Sequence, residues 1–153
     1  MAGVASTRFA AWEQIEDALD RILSGGGYWF SPTVTTDHPD PDTALSVPCL
    51  VMSMGSELMT ESTVGHTYHS IVMINVDGYV NHDDDYIENG CKLSQDVRRA
   101  VVAIADQLHG IIAPITMLTL GDMDTETGWL DVEGGLVRFT QPVEIHYKTR
   151  TAW

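Results

Sequence analysis

From residue 137 to residue 148 the sequence alternates: Val137, Phe139, Val143, Ile145 and Tyr147 share one parity, and Arg138, Thr140, Glu144, His146 and Lys148 the other. Successive side chains of a strand point to opposite faces, so this spacing predicts a strand with one buried and one wet face. Such a strand is not stable alone. It needs sheet partners and an apolar layer over its buried side. Pro142 removes a ladder donor, which predicts an edge position or a bulge within the strand.

Partners can be read upstream. Residues 47–54 are apolar on both faces, as expected of a central, doubly covered strand. Residues 67–76 form a second candidate, with Ile71 and Met73 on one face and Tyr68, Val72, Ile74 and Val76 on the other. Pro114 blocks helix continuation ahead of a third, residues 115–120. A short strand near 129–132 then leads through Glu133-Gly134-Gly135 into the alternating segment, a credible hairpin turn.

The covering layer is also legible. Phe9, Trp12, Ile15, Leu19, Ile22 and Leu23 recur at helical spacing over residues 7–23, with Ser6 or Thr7 placed to cap the start and Gly25, Gly26 and Gly27 to end it. A second helix is expected from near Asn89 to about His109, its inner stripe formed by Val97, Val101, Ile104 and Leu108, with Gly110 as its stop. Residues 28–46, holding Pro32, Pro39 and Pro41, read as an extended loop, and residues 55–65 and 81–89 as breaks. The expectation is one α+β domain spanning residues 1–153: a mixed or antiparallel sheet with two main helices packed on it. A chain of this length, 44% hydrophobic and 20% charged, can bury one core.

Charge narrows the function. Eight basic against twenty-two acidic residues give −14, which repels a phosphate backbone and argues against tight nucleic-acid binding. The same charge suits a wall past which DNA slides without sticking. Cys49 and Cys91 are too few for a disulfide framework, and reduced, buried thiols are expected. Residues 1–12 lack the pattern of a secretory signal, and no apolar run approaches the ~20 residues of a membrane span. An intracellular product or particle component is expected.

Candidate chemistry is sparse. His38, Asp40 and Asp42 alternate with prolines and could surround a divalent ion, giving a small metal-binding domain or hydrolase as one reading; the stretch lacks the turn glycine and distal Glu of a calcium loop, and a solvated loop explains it as well. Asp83, Asp84 and Asp85 could assist a cation, or simply favour the positive end of the following helix. His66 and His69, three apart in a strand entry, point to opposite faces. Ser53 and Ser56 flank Gly55 in the wrong order for a nucleophile elbow, and Cys91 reads as a small buried hydrophobe. The glycine run follows its helix, whereas phosphate-cradling glycines precede one. Lys92, Arg98 and Arg99 are expected to make local links or a subunit contact. No catalytic residue, metal or cofactor is assigned.

Apolar residues outside the periodic stripes are more informative: Tyr28, Trp29 and Phe30 after the first helix, Met54, Leu58 and Met59 in an expected loop, and Trp153 at the end. They mark either a protein-contact surface or loops folded back on the core. The order of segments, from the first helix through "VPCLVM", "TYHSIVMINV" and "NGCKLSQDVRRAVVAIADQL" to "GGLVRFTQPVEIHYKT", resembles the tail terminator, or tail completion, proteins of long-tailed bacteriophages. That resemblance implies a non-enzymatic virion protein of the neck, assembled in the host cytoplasm. Its six copies would close into a ring that caps the tail tube, stops tube polymerisation and meets the head-side connector, with DNA only as passing cargo. Another neck or connector component is the neighbouring reading.

Overall fold

The computed structural model describes residues 6–36, 47–61, 68–123 and 130–149. Six strands and three helices follow in the order α1 (Thr7–Asp20), β1 (Thr33–Thr35), β2 (Cys49–Glu61), β3 (Tyr68–Asn81), α2 (Tyr86–Ala105), α3 (Leu108–Ile111), β4 (Ile115–Leu120), β5 (Asp131–Glu133) and β6 (Leu136–Thr149). One sheet runs β1-β2-β3-β6-β4, with β5 also paired to β6. Only β1 with β2 is parallel, so this is an α+β domain on a mixed sheet.

The alternating segment sits at the centre. β6 pairs antiparallel with β3 along its whole length, matching Val72 with Ile145, Ile74 with Val143 and Val80 with Val137 on the face beneath the helices. Gly78 faces Phe139, whose ring fills the space where a side chain would stand: a Cβ on Gly78 would lie 2.2 Å from the ring. Gln141 interrupts the apolar parity and is fully buried, yet satisfied. Its amide nitrogen donates to the carbonyls of Gly121 (2.9 Å) and Pro142 (2.7 Å), and its oxygen accepts from Arg98 Nε (2.9 Å).

Pro142 corrects the edge expectation. β6 is internal and its pairing with β3 shows no register shift. On its other side, however, β5 reaches only Arg138 and β4 begins only at Val143. The Pro142 carbonyl accepts from Gly121 N–H there, at 2.9 Å, so its nitrogen also faces this gap, where no strand partner needs a donor.

The helices lie over this face. α1 starts at Ser6, whose Oγ accepts from Phe9 N–H at 3.3 Å, and buries Ala11, Ile15, Ala18 and Leu19. It stops at Asp20, ahead of the expected residue 23; a short 3-10 turn, Ser24–Gly26, follows, and Gly27 takes the left-handed conformation at φ 93°. Phe9 and Leu23, expected on the inner face, are outside it at 60% and 55% exposure. α2 begins at Tyr86 rather than near Asn89, because Asp83 Oδ1 accepts from Asp85 N–H and sets the entry turn. Val97, Val101 and Ile104 are buried as expected. The helix ends at Ala105, and Leu108 is buried from α3 instead. His109 Nδ1, 2.7 Å from the Ile115 carbonyl oxygen, donates to it and seats α3 beside β4; Gly110 lies within α3 and stops nothing.

Two expected breaks are strand. β1 forms inside the Pro-rich stretch, and β2 runs on past Met54 to Glu61 through a register shift between Met54 and Glu57. A bulge inserts residues without ending the strand, so Gly55 and Ser56 bend it while pairing with β3 resumes at Glu57 and Val72. The Gly134-Gly135 turn is as expected, both residues at positive φ (57° and 83°) between β5 and β6. Gly78→Ala should destabilise the domain by about 2–3 kcal/mol or more through overpacking against Phe139. Gly25→Ala, with nothing within 4 Å, should be near neutral in the same urea titration.

Candidate protein-contact surface

β1 covers the outer edge of β2 only from Cys49 to Val51. Beyond that, no described residue pairs with the edge, and Met54, Leu58 and Met59 stand 47%, 65% and 51% exposed along it. Leu58 and Met59, expected in a loop, are therefore held on the same strand as Met54.

The strand's bend has a second consequence. After the bulge, Glu57 faces the helix layer opposite Val72, where its carboxylate accepts from Arg8 Nη1 at 2.8 Å and from the Tyr147 hydroxyl. Burial, together with the bond to Glu57, pushes the Tyr147 hydroxyl up to about 12. Between the first turn of α1 and this edge lies an open groove of ≈ 420 Å³, lined by Ser6, Arg8, Phe9, Trp12 and Met54. Phe9 and Arg8 carried no signal in the sequence, because Phe9 fits the helical stripe and its exposure follows only from where the first turn of α1 lies in the fold.

Tyr28, Trp29 and Phe30 divide. Tyr28 and Phe30 pack against the core, while Trp29 is 45% exposed. The fully buried carboxylate of Asp96 on α2 fixes this segment by accepting from Trp29 N–H and Phe30 N–H, each at 3.1 Å. Arg99 donates to the Gly27 carbonyl at 2.8 Å and lies 4.9 Å over the Tyr28 ring. For Tyr28 and Phe30 the fold-back alternative is the correct one. Trp153 lies outside the described residues.

The remaining candidates separate plainly. His38, Asp40, Asp42 and His66 lie outside the described residues. Asp83 and Asp85 serve the entry of α2. Among the described residues no group of three or more His, Cys, Asp and Glu is placed to hold a metal ion. His69 and His146, on different strands, come together with ring centroids 5.6 Å apart on the sheet face away from the helices. Lys92 pairs with Glu88 at 2.9 Å, and Arg98 and Arg99 make the contacts already described, so all three are tied locally. Cys49 is buried, and burial pushes its thiol up; Cys91 corrects the expectation of a buried thiol, since it sits on the outer face of α2 opposite the Leu93 and Val97 stripe. No helix among the described residues is long and apolar enough to cross a membrane.

Compared with known proteins, the chain matches no family model and no curated protein sequence. What the geometry offers is a surface: a strand edge that no described residue pairs beyond Val51, carrying apolar side chains and flanked by a largely apolar groove.

Two measurements check this arrangement. Asp96→Ala should cost on the order of 2–3 kcal/mol by leaving two N–H groups without their charged acceptor, and should open the Trp29 segment to limited proteolysis. The raised Tyr147 value means the folded chain holds a proton that the unfolded chain releases near pH 10, so its contribution is complete below about pH 10 and is lost as pH rises towards 12. Urea titrations between these limits should show stability falling more steeply in the wild type than in Tyr147→Phe; equal slopes would contradict the assignment.

Proposed function

We propose that the chain is a virion assembly protein of the phage neck, a tail terminator whose copies close into a ring on the tail tube and present a surface to the head-side connector. The observation that carries this reading is the free edge of β2 with Met54, Leu58 and Met59 exposed along it. Natural sheet edges are guarded by lysine, proline, inward charges or a covering element, because an unguarded edge recruits another chain. Here the one charge between residues 52 and 60, Glu57, is held on the helix side by Arg8 and Tyr147.

The acidic balance supports the same reading. A ring around a DNA passage must let the duplex slide, and a net charge of −14 disfavours adhesion to phosphate. The protein acts by assembly: its partners are its own copies, the tail tube protein and the connector, with no cofactor. It belongs to the virion neck and is assembled in the host cytoplasm.

Negative-stain electron microscopy over a concentration series, with and without tail tubes of the phage that encodes it, tests this directly. Closed rings or caps on tube ends are expected, whereas monomers that ignore the tubes overturn the proposal. The double substitution Leu58→Asp, Met59→Asp should reduce the ring population about tenfold or more, since each buried apolar side chain contributes roughly 1.5–3 kcal/mol, and should leave the circular dichroism spectrum unchanged.

A further inference from the structure

We infer that neighbouring copies join by extending the sheet, the free edge of β2 in one copy pairing with the free edge of β4 in the next; this rests on the ring reading above and names its seam. β4 is the last strand on its side of the sheet, so no described residue pairs with its outer edge. Its sequence, Ile115–Leu120, contains no charge and no proline. The two edges are thus the neutral, unguarded ends of one sheet in a chain that carries −14.

Identical acidic chains repel, and the outer face of α1 shows why the seam has to be chosen: Glu13, Asp17 and Asp20 are all exposed there. A contact between copies is tolerable only where charge is absent or already paired, and both edges meet that condition. Their regular portions also match in length. Past the register shifts, residues 57–60 of β2 and residues 117–120 of β4 remain in unbroken pairing with their inner neighbours. β4 runs antiparallel to β2, because three antiparallel steps separate them, so the new pair would continue the alternation of the sheet.

The helix layer fits the same joint. In an extended sheet the covering elements fall on one side, which sets α3 of one copy beside the start of α1 of the next. α3 lies next to β4 and leaves Ile111 55% exposed, and the groove of Phe9, Trp12 and Met54 lies next to β2. Ile111 is an apolar knob for that groove. Pairing β2 with β2 would leave β4 and Ile111 bare; pairing β4 with β4 would leave the groove open. Joining unlike edges uses both surfaces in every copy, and such a head-to-tail contact is the kind that closes into rings.

Sedimentation velocity on the full chain tests the seam. Phe9→Asp spoils the groove and Ile111→Asp spoils the knob, both at exposed positions; Met54→Asp and Met117→Asp form a second pair on the two edges should either of the first lose its native circular dichroism. Each variant alone should associate at least about tenfold more weakly than wild type. An equimolar mixture of a groove variant and a knob variant should recover dimers, because each still carries one intact half of the joint. Monomeric wild type at every concentration overturns both the seam and the ring. Wild-type oligomers that survive all four substitutions overturn the seam and leave the ring reading standing, as do variants that weaken assembly singly but never restore dimers when mixed.

Discussion

Everything else in this fold is hung on the pairing of β3 with β6. Those two strands match residue for residue from Tyr68 with Thr149 to Asn81 with Leu136, and this ladder fixes which side chains face the helices. A slip of one residue by β6 would turn Val143 and Ile145 away from the helices and bring Glu144 and His146 into the core. Phe139 locks the register further, because its ring needs the empty space above Gly78 and finds it only when those two residues are opposite each other. β2 then adds to one side of the ladder and β4 and β5 to the other.

The ladder was the most legible part of the chain. Alternation over residues 137–148 reports directly on two faces, and the glycine pair at 134 and 135 reports on a backbone conformation that other residues resist. What failed to read was local chemistry overruled by neighbours. Gly55, Ser56 and Glu57 look like the end of a strand, yet β3 supplies a partner on which β2 can bulge and continue, and the apolar residues beyond the bulge pass from loop to edge. Pro142 looks like an edge residue because its missing donor was legible, while the gap between β4 and β5 that excuses it was not.

The candidate surface was readable only in part, for a related reason. Tyr28, Trp29, Phe30, Met54, Leu58 and Met59 stand out alike as apolar residues off the periodic stripes. Whether such a residue is covered depends on a distant group: the Asp96 carboxylate draws the Trp29 and Phe30 amides onto α2, so two of the first three rings are spent on the core. Met54, Leu58 and Met59, by contrast, remain among the exposed large hydrophobic residues. Phe9 errs in the opposite sense, since helical spacing assigns it inward and the first turn of the helix leaves it exposed.

These polar ties also bear on how a strongly acidic chain keeps apolar side chains along a sheet edge. Two of its fully buried polar groups are satisfied internally, Asp96 by backbone amides and Gln141 by Arg98 and two carbonyls, so the core tolerates them without exposing charge at the sheet edges. Glu57 is the one carboxylate that falls within the exposed length of β2 between residues 52 and 60, and it is drawn under the helix layer by Arg8 and Tyr147. Were it turned outward it would guard the edge as charges do in other sheets. Turned inward, it leaves the edge open to another strand, while Met54, the last residue in register before the bulge, stands beside Phe9 and Trp12. One local irregularity in β2 thus clears charge from the edge beside the groove, and this ties the proposed assembly surface to the backbone geometry rather than to any single side chain.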